Sequence, residues 1–239
     1  MPLLDHFHPP LDRTHPWRSF QGTWAVGIAR LLNGGVLPEG FYAVPFLDSD
    51  GPVEIDVATV GDFAGAVPSG DSTGAALWTP SEPRSVVAVE WDIGDGARVE
   101  IMSDDGDPPL AAAIELVSPG NKDRPRTREA FAAKCADYLR RGCGLVVVDT
   151  VTTRRADLSA DLWAVLGIEG GLDNAGPLTA VSYRSTGRNG DGRLLAWPSP
   201  LAVGQPLPTL PLWLGAEVAV PLDLEASHSA ACVDLRIRA

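Results

Sequence analysis

The sequence has no run of about 18 apolar residues, so no membrane-spanning helix is expected. Cysteine is scarce. The three in 239 residues form no Cys-x-x-Cys pair, which argues against a disulfide framework and against a cysteine zinc site. The start, Met-Pro-Leu-Leu-Asp-His-Phe-His-Pro-Pro, has neither the basic opening nor the apolar centre of a secretory signal. A reducing cytoplasm is the expected home. No Gly-x-x-x-x-Gly-Lys loop and no Gly-x-Gly-x-x-Gly turn is present, so a nucleotide cofactor has no support. Positive charge is short: 19 Lys and Arg stand against 31 Asp and Glu, a net charge of −12. That balance speaks against a general nucleic-acid binder.

The basic residues are unevenly spread, however. Between Lys122 and Arg155 lie nine of them against four acidic ones, so this window is positive while the remainder is strongly negative. A solvated helix face explains most of that pattern; a local phosphate-attracting patch is compatible with it.

Periodicity supplies the elements. Residues 19–33 show helical spacing, with Ser19 as N-cap and Gly34 as stop. Phe41–Leu47 and Val53–Val60 read as strands, the second alternating Val53, Ile55 and Val57 with Glu54, Asp56 and Ala58. Residues 61–82 are rich in Gly, Ser, Pro and Asp and read as a loop. Val86–Ile93 and Ala97–Ser103 read as a hairpin closed by Gly94-Asp95-Gly96. Leu110–Ser118 is an apolar strand. Residues 127–141 form a helix capped by Thr127 and ended by Gly142, and Leu145–Val151 is a buried strand. Strand, helix and strand with short joins make a parallel βαβ unit. A short helix ending at Gly167, strands over Leu178–Arg184 and Gly192–Trp197, a last strand at Glu217–Leu222 and a last helix at Leu224–Arg236 complete the reading. Five prolines in 198–211 mark an extended arm, which could pack on a second copy.

One carboxylate stands out. Glu115 is the single charge in Leu110-Ala111-Ala112-Ala113-Ile114-Glu115-Leu116-Val117, and burying a lone charge is costly unless it is paired or binds a metal. Asp56 lies in an earlier strand. Were the two strands neighbours, the carboxylates could share a hard cation, Mg²⁺ or Mn²⁺, through oxygen ligands. Lys134 lies beside Tyr138 at the edge of the helix's apolar stripe of Phe131, Cys135, Tyr138 and Leu139, so its stem can run along apolar surface to the strand ends. Lys122, in the turn after Glu115, is a second source of an amine, and the Ser118 hydroxyl could support either. The structural alternative is that Glu115 pairs with an arginine such as Arg128 and that Asp56 faces solvent. His6, His8 and His15 share a Pro-rich segment and read as surface histidines, and His228 as surface or packing. Cys135 reads as core, and Cys143 as a possible reactive thiol.

The order of these parts, with Glu115-Leu116-Val117-Ser118-Pro119-Gly120-Asn121-Lys122, the helix carrying Lys134 and Tyr138, and an apolar strand ending in Asp149, resembles the Uma-type restriction endonucleases of bacteria, within the PD-(D/E)xK nuclease superfamily. It is similar, more closely, to a neighbouring bacterial family of unknown function whose members carry a Glu-Leu-Leu-Ser-Pro-x-Asn-Lys-like segment. Trp17, Phe20, Trp24, the segment 37–42 and the tail Val220–Ala226 extend the likeness over most of the chain. The resemblance implies an α/β fold: a restriction-endonuclease-like mixed central sheet flanked by helices over 1–197, with a Pro-rich arm and a C-terminal strand and helix over 198–239 packing on the same domain. It implies Asp56 and Glu115 as metal ligands. The superfamily's usual lysine position is Val117 here, and in the Uma-type pattern the helix supplies the amine, which is Lys134. The expected activity is Mg²⁺-dependent (or Mn²⁺-dependent) hydrolysis of DNA phosphodiesters, with Lys122, Arg124, Arg126 and Arg128 on backbone phosphates and a homodimer as the form that cuts both strands. The rival expectation is a catalytically inactive nuclease-fold protein that binds or scaffolds.

Overall fold

The computed structural model describes residues 1–45, 57–61, 78–88, 110–170, 172, 176–187, 192–214 and 218–238. The chain is a mixed α/β protein. Helices α1 (Leu11–Thr14) and α2 (Trp17–Leu31) are followed by strands β1 (Phe41–Pro45), β2 (Val57–Gly61), β3 (Ser85–Ala88) and β4 (Leu110–Leu116). Helix α3 (Pro125–Arg140) and strand β5 (Gly144–Asp149) come next, then α4 (Leu158–Val165), β6 (Thr179–Thr186), β7 (Arg193–Pro200), β8 (Thr209–Leu214), β9 (Val218–Asp223) and α5 (Leu224–Asp234).

Seven strands make one sheet in the order β1-β2-β4-β5-β6-β7-β3. Among the described residues only β4 and β5 run parallel, joined by the α3 crossover; the other ladders are antiparallel. The expected βαβ unit is therefore present. Its two strands are buried along nearly their whole length, which is why they read as apolar runs without alternation: both faces of the sheet are covered. Ala112, Ile114, Leu116, Val146 and Val148 face α2, α5 and the β8–β9 ribbon. Ala113, Val117, Leu145 and Val147 face α3 and α4. By the two-residue period of a strand, Glu115 and Asp149 belong to the second face.

Several boundaries differ from the sequence expectation. Helix α3 starts at Pro125, not after Thr127, because proline fits the first turn of a helix without losing a hydrogen bond. Thr127 instead accepts from the Arg124 backbone N–H at 3.1 Å, inside the first turn. Gly142, at φ +80°, ends the helix as expected. Helix α2 begins two residues before Ser19, directly after Pro16, and runs into a widened turn over Leu32–Val36. Strand β3 pairs with β7; residues 89–109, which hold the rest of the expected hairpin, lie outside the described residues.

The proline-rich stretch hides a strand. β7 continues to Pro200 and β8 begins at Thr209, pairing with β9 so that Pro211 stands opposite Pro221. A two-stranded ribbon leaves outward-facing backbone positions where a proline sacrifices no ladder bond. Leu210, Leu212 and Leu214 of β8 are buried in the chain's own core. The ribbon crosses β5 so closely that a Cβ on Gly144 would lie 1.9 Å from the Trp213 carbonyl oxygen. Because the obstacle is backbone, Gly144→Ala must push the ribbon off the sheet. We expect a loss of about 2–3 kcal/mol, or roughly 5–10 °C in Tm, measured by thermal unfolding.

Candidate functional site

The site is built at the carboxyl ends of the two parallel strands, under α3. Glu115, next to last in β4, is 1% exposed. Lys134, two turns into α3, donates from Nζ to Glu115 Oε2 at 2.7 Å, and both side chains are almost wholly enclosed. The amine also sits 5.3 Å from the centre of the Phe131 ring, one turn earlier on the same helix. The Tyr138 hydroxyl, one turn later, bonds to the same carboxylate. Burial, and then the Glu115 charge, push Tyr138 far above its ordinary range, so it stays a protonated donor. The same two causes, in the same order, raise Cys135, which is inert core as expected. From the opposite face Gln21 of α2 donates to the Leu116 carbonyl at 2.7 Å and anchors the end of β4.

A second lysine–carboxylate pair lies on the same face. Lys122 Nζ donates to Asp149 Oδ2 at 2.7 Å, and the lysine side chain is completely enclosed. Asp149 ends β5; its other oxygen accepts from the Val151 N–H at 3.1 Å. Burial raises the Asp149 carboxyl above its ordinary value, against the opposing pull of Lys122. The turn that delivers Lys122 is a single 3₁₀ turn over Pro119–Lys122. Asn121 Oδ1 accepts from both the Ser118 N–H, at 2.8 Å, and the Ser118 hydroxyl, at 2.9 Å, and closes it. Ser118 thus supports the turn and not an amine.

The structure sorts the residues expected from sequence as follows. Glu115 and Lys134 meet. Lys122 goes to Asp149 and is enclosed, not displayed on the surface. Arg128 does not reach Glu115 but Asp161 of α4, at 3.1 Å. Arg124 and Arg126 are exposed, and Arg124 lies 3.6 Å from Asp123. Asp56 lies outside the described residues; Val57, which follows it, pairs with Ile114, the residue before Glu115. Among the described residues no three His, Cys, Asp or Glu side chains gather to hold a metal. Cys143 is buried, donates to the Leu110 carbonyl at 3.0 Å and is pushed up to about 11 by burial, which removes it as a reactive thiol.

Sequence reasoning missed the Lys122–Asp149 pair. The available signal was Asp149 itself, a lone acid closing an apolar strand just as Glu115 nearly closes its neighbour. It also passed over Gly70-Asp71-Ser72-Thr73-Gly74, which has the Gly-x-Ser-x-Gly spacing of a hydrolase elbow and lies outside the described residues. His6 is buried, not a surface histidine, with its ring 3.8 Å from that of Phe20.

Compared with models of protein families, with curated proteins and with solved structures, the chain matches none. Among the described residues no helix is long and apolar enough to cross a membrane.

Proposed function

We propose that the chain is a restriction-endonuclease-like enzyme that hydrolyses DNA phosphodiester bonds with Mg²⁺ or Mn²⁺. The observation that carries the reading is the enclosed Glu115–Lys134 pair at 2.7 Å, where a strand-borne carboxylate meets an amine from the crossover helix. An enclosed ion pair contributes little net stability compared with apolar packing, so its presence favours a functional role. Carboxylate oxygen is the donor a hard cation prefers, and Asp56 is the proposed second ligand, next in sequence to the residue that pairs beside Glu115. Bound there, the ion would polarise a phosphate and make a water a better nucleophile.

The chain's own groups have separate tasks. Glu115 is fixed by β4 and by the Tyr138 hydroxyl, so its carboxylate is aimed before any ligand arrives. Lys134 neutralises that carboxylate at rest and can turn its amine to a phosphate oxygen or an attacking water. Arg126, exposed, and Arg124, exposed beside Asp123, are placed to meet backbone phosphates, and a second copy would be needed to cut both strands at once.

The assay is cleavage of supercoiled and linear DNA by the purified chain with Mg²⁺ or Mn²⁺. We expect nicking or linearisation that falls at least about a hundredfold in Glu115→Gln and in Lys134→Met, in the range of a lost general-catalytic or electrostatic group. Cleavage that persists in Glu115→Gln would rule the mechanism out. One observation favours a second reading, a nuclease-fold protein that binds or scaffolds without catalysis: both buried lysines are already matched to carboxylates. That reading requires that calorimetry detect no Mn²⁺ binding.

A further inference from the structure

A cavity of about 590 Å³ opens at the carboxyl end of β5, beside the site just described. Its walls include Val147, Asp149, Leu158, Ser159 and Thr179, with exposed Arg155 and Asp157 also on the lining; Asp157 is the N-cap of α4, accepting from the Ser159 and Ala160 N–H groups. Val147 is the register partner of Glu115, so the cavity and the proposed phosphodiester site share a boundary. The carboxyl ends of parallel strands are where open α/β sheets bind ligands, and the volume is that of an ordinary small-molecule site.

The lining defines the occupant. The apolar part is supplied by Val147 and Leu158, against which a flat ring can lie. The inner polar group is Asp149, held in place by Lys122 behind it and by the Val151 amide. Each of its oxygens accepts one bond within the protein and keeps a second lone pair, so the carboxylate has acceptors and no donor left for a ligand. Among the nucleobases, guanine alone offers two adjacent N–H donors on one edge. Adenine and cytosine place an acceptor nitrogen beside their amino group, and a carboxylate repels it. Arg155, exposed on the same lining as Asp157, would supply the cation for the phosphate of the same nucleotide.

We infer that this cavity is a base-binding subsite, selective for guanine, for a nucleotide of the nucleic acid engaged at Glu115. The inference rests on the nuclease reading for the identity of its strand, and it can be tested apart from it. The full chain is titrated calorimetrically in EDTA with GMP, AMP and CMP, so that no metal is involved. GMP is expected to bind at least about tenfold more tightly than the other two, the discrimination of one good bidentate contact. Asp149→Asn alone would strand the Lys122 charge and could unfold. The doubly neutral Lys122→Met/Asp149→Asn variant therefore serves as the second test, and it should lose the preference. Arg155→Ala changes an exposed residue and should weaken GMP but not guanosine. Equal binding of the three nucleotides, no binding at millimolar concentration, or a preference that survives the double variant overturns the inference. DNA cleavage without a guanine preference discards the subsite and leaves the nuclease. A guanine preference without cleavage keeps the subsite and discards the nuclease.

Discussion

Lys122→Met is expected to destabilise the protein by about 3–5 kcal/mol, the cost of leaving a buried charge without its partner. Asp149 is 5% exposed, and among its contacts the Lys122 ammonium at 2.7 Å is the cation. Methionine fills nearly the same volume, so the loss is electrostatic and not a cavity effect. Neutralising both partners, as Lys122→Met/Asp149→Asn, should recover most of the loss, because neither of these two positions then encloses a charge. Chemical denaturation of the two single variants and the double variant closes the cycle.

The same pair predicts a pH signature. Burial already raises the folded-state Asp149 carboxyl above its unfolded value, although Lys122 pulls it down. Removing Lys122 takes away the opposing cause, so the carboxyl rises further. A raised carboxyl is a cost to folding that is fully present above its folded pKa and disappears as the group takes up a proton. The deficit of Lys122→Met should thus be largest near neutral pH and shrink on acidification. A deficit independent of pH would mean that Lys122 acts through packing alone.

Much of the sheet was legible because its physical signal is local. β4 and β5 are apolar on both faces, and each carries one acid, Glu115 and Asp149, that a solvent-facing strand would not isolate. Lys134 was legible from helical phase, since it stands three residues after Phe131 and four before Tyr138 on one edge of the stripe. Lys122 was not. A lysine after Ser-Pro-Gly-Asn reads as a surface turn, and only the geometry of that turn, closed by Ser118 on Asn121, aims it inward. Strand β8 was hidden by its neighbouring prolines, because propensity cannot show that, among the described residues, it pairs with β9 alone. The burial of His6 was hidden for a different reason. Its ring packs on Trp17 and Phe20 of α2, and no periodicity in the Pro-rich N-terminal segment records those contacts.

A second buried histidine carries the second large effect: stability is expected to fall by about 3 kcal/mol between pH 6.5 and pH 4 through His228 alone. His228 of α5 is fully enclosed, with its ring 5.2 Å from that of Phe20 and 5.3 Å from that of Trp24. Burial lowers it to about 4, and the His6 ring and terminal ammonium act in the same direction. The Met1 backbone and Glu225 oppose the shift without reversing it, and Cys232, 3.8 Å from Nδ1, is itself pushed up to about 11 by burial and stays neutral. His6 is lowered too, first by burial; the His15 carbonyl 3.0 Å from Nδ1 and Asp5 resist, and the His15 charge assists. The sign follows from linkage. An unfolded histidine takes up its proton near pH 6.5, whereas the folded one holds out to lower pH, so acid pulls the equilibrium toward the unfolded chain. Glu225 adds a separate loss further into acid. Burial raises its carboxyl, but the Leu207 amide and the terminal ammonium outweigh that and leave it below its ordinary value, so its contribution fades only below about pH 4.5. Urea denaturation from pH 7 to pH 4 should therefore show a steep decline that His228→Leu flattens and His6→Phe/His228→Leu flattens further. An unchanged slope in the double variant would show that the two rings take their protons as readily in the folded chain as in the unfolded one.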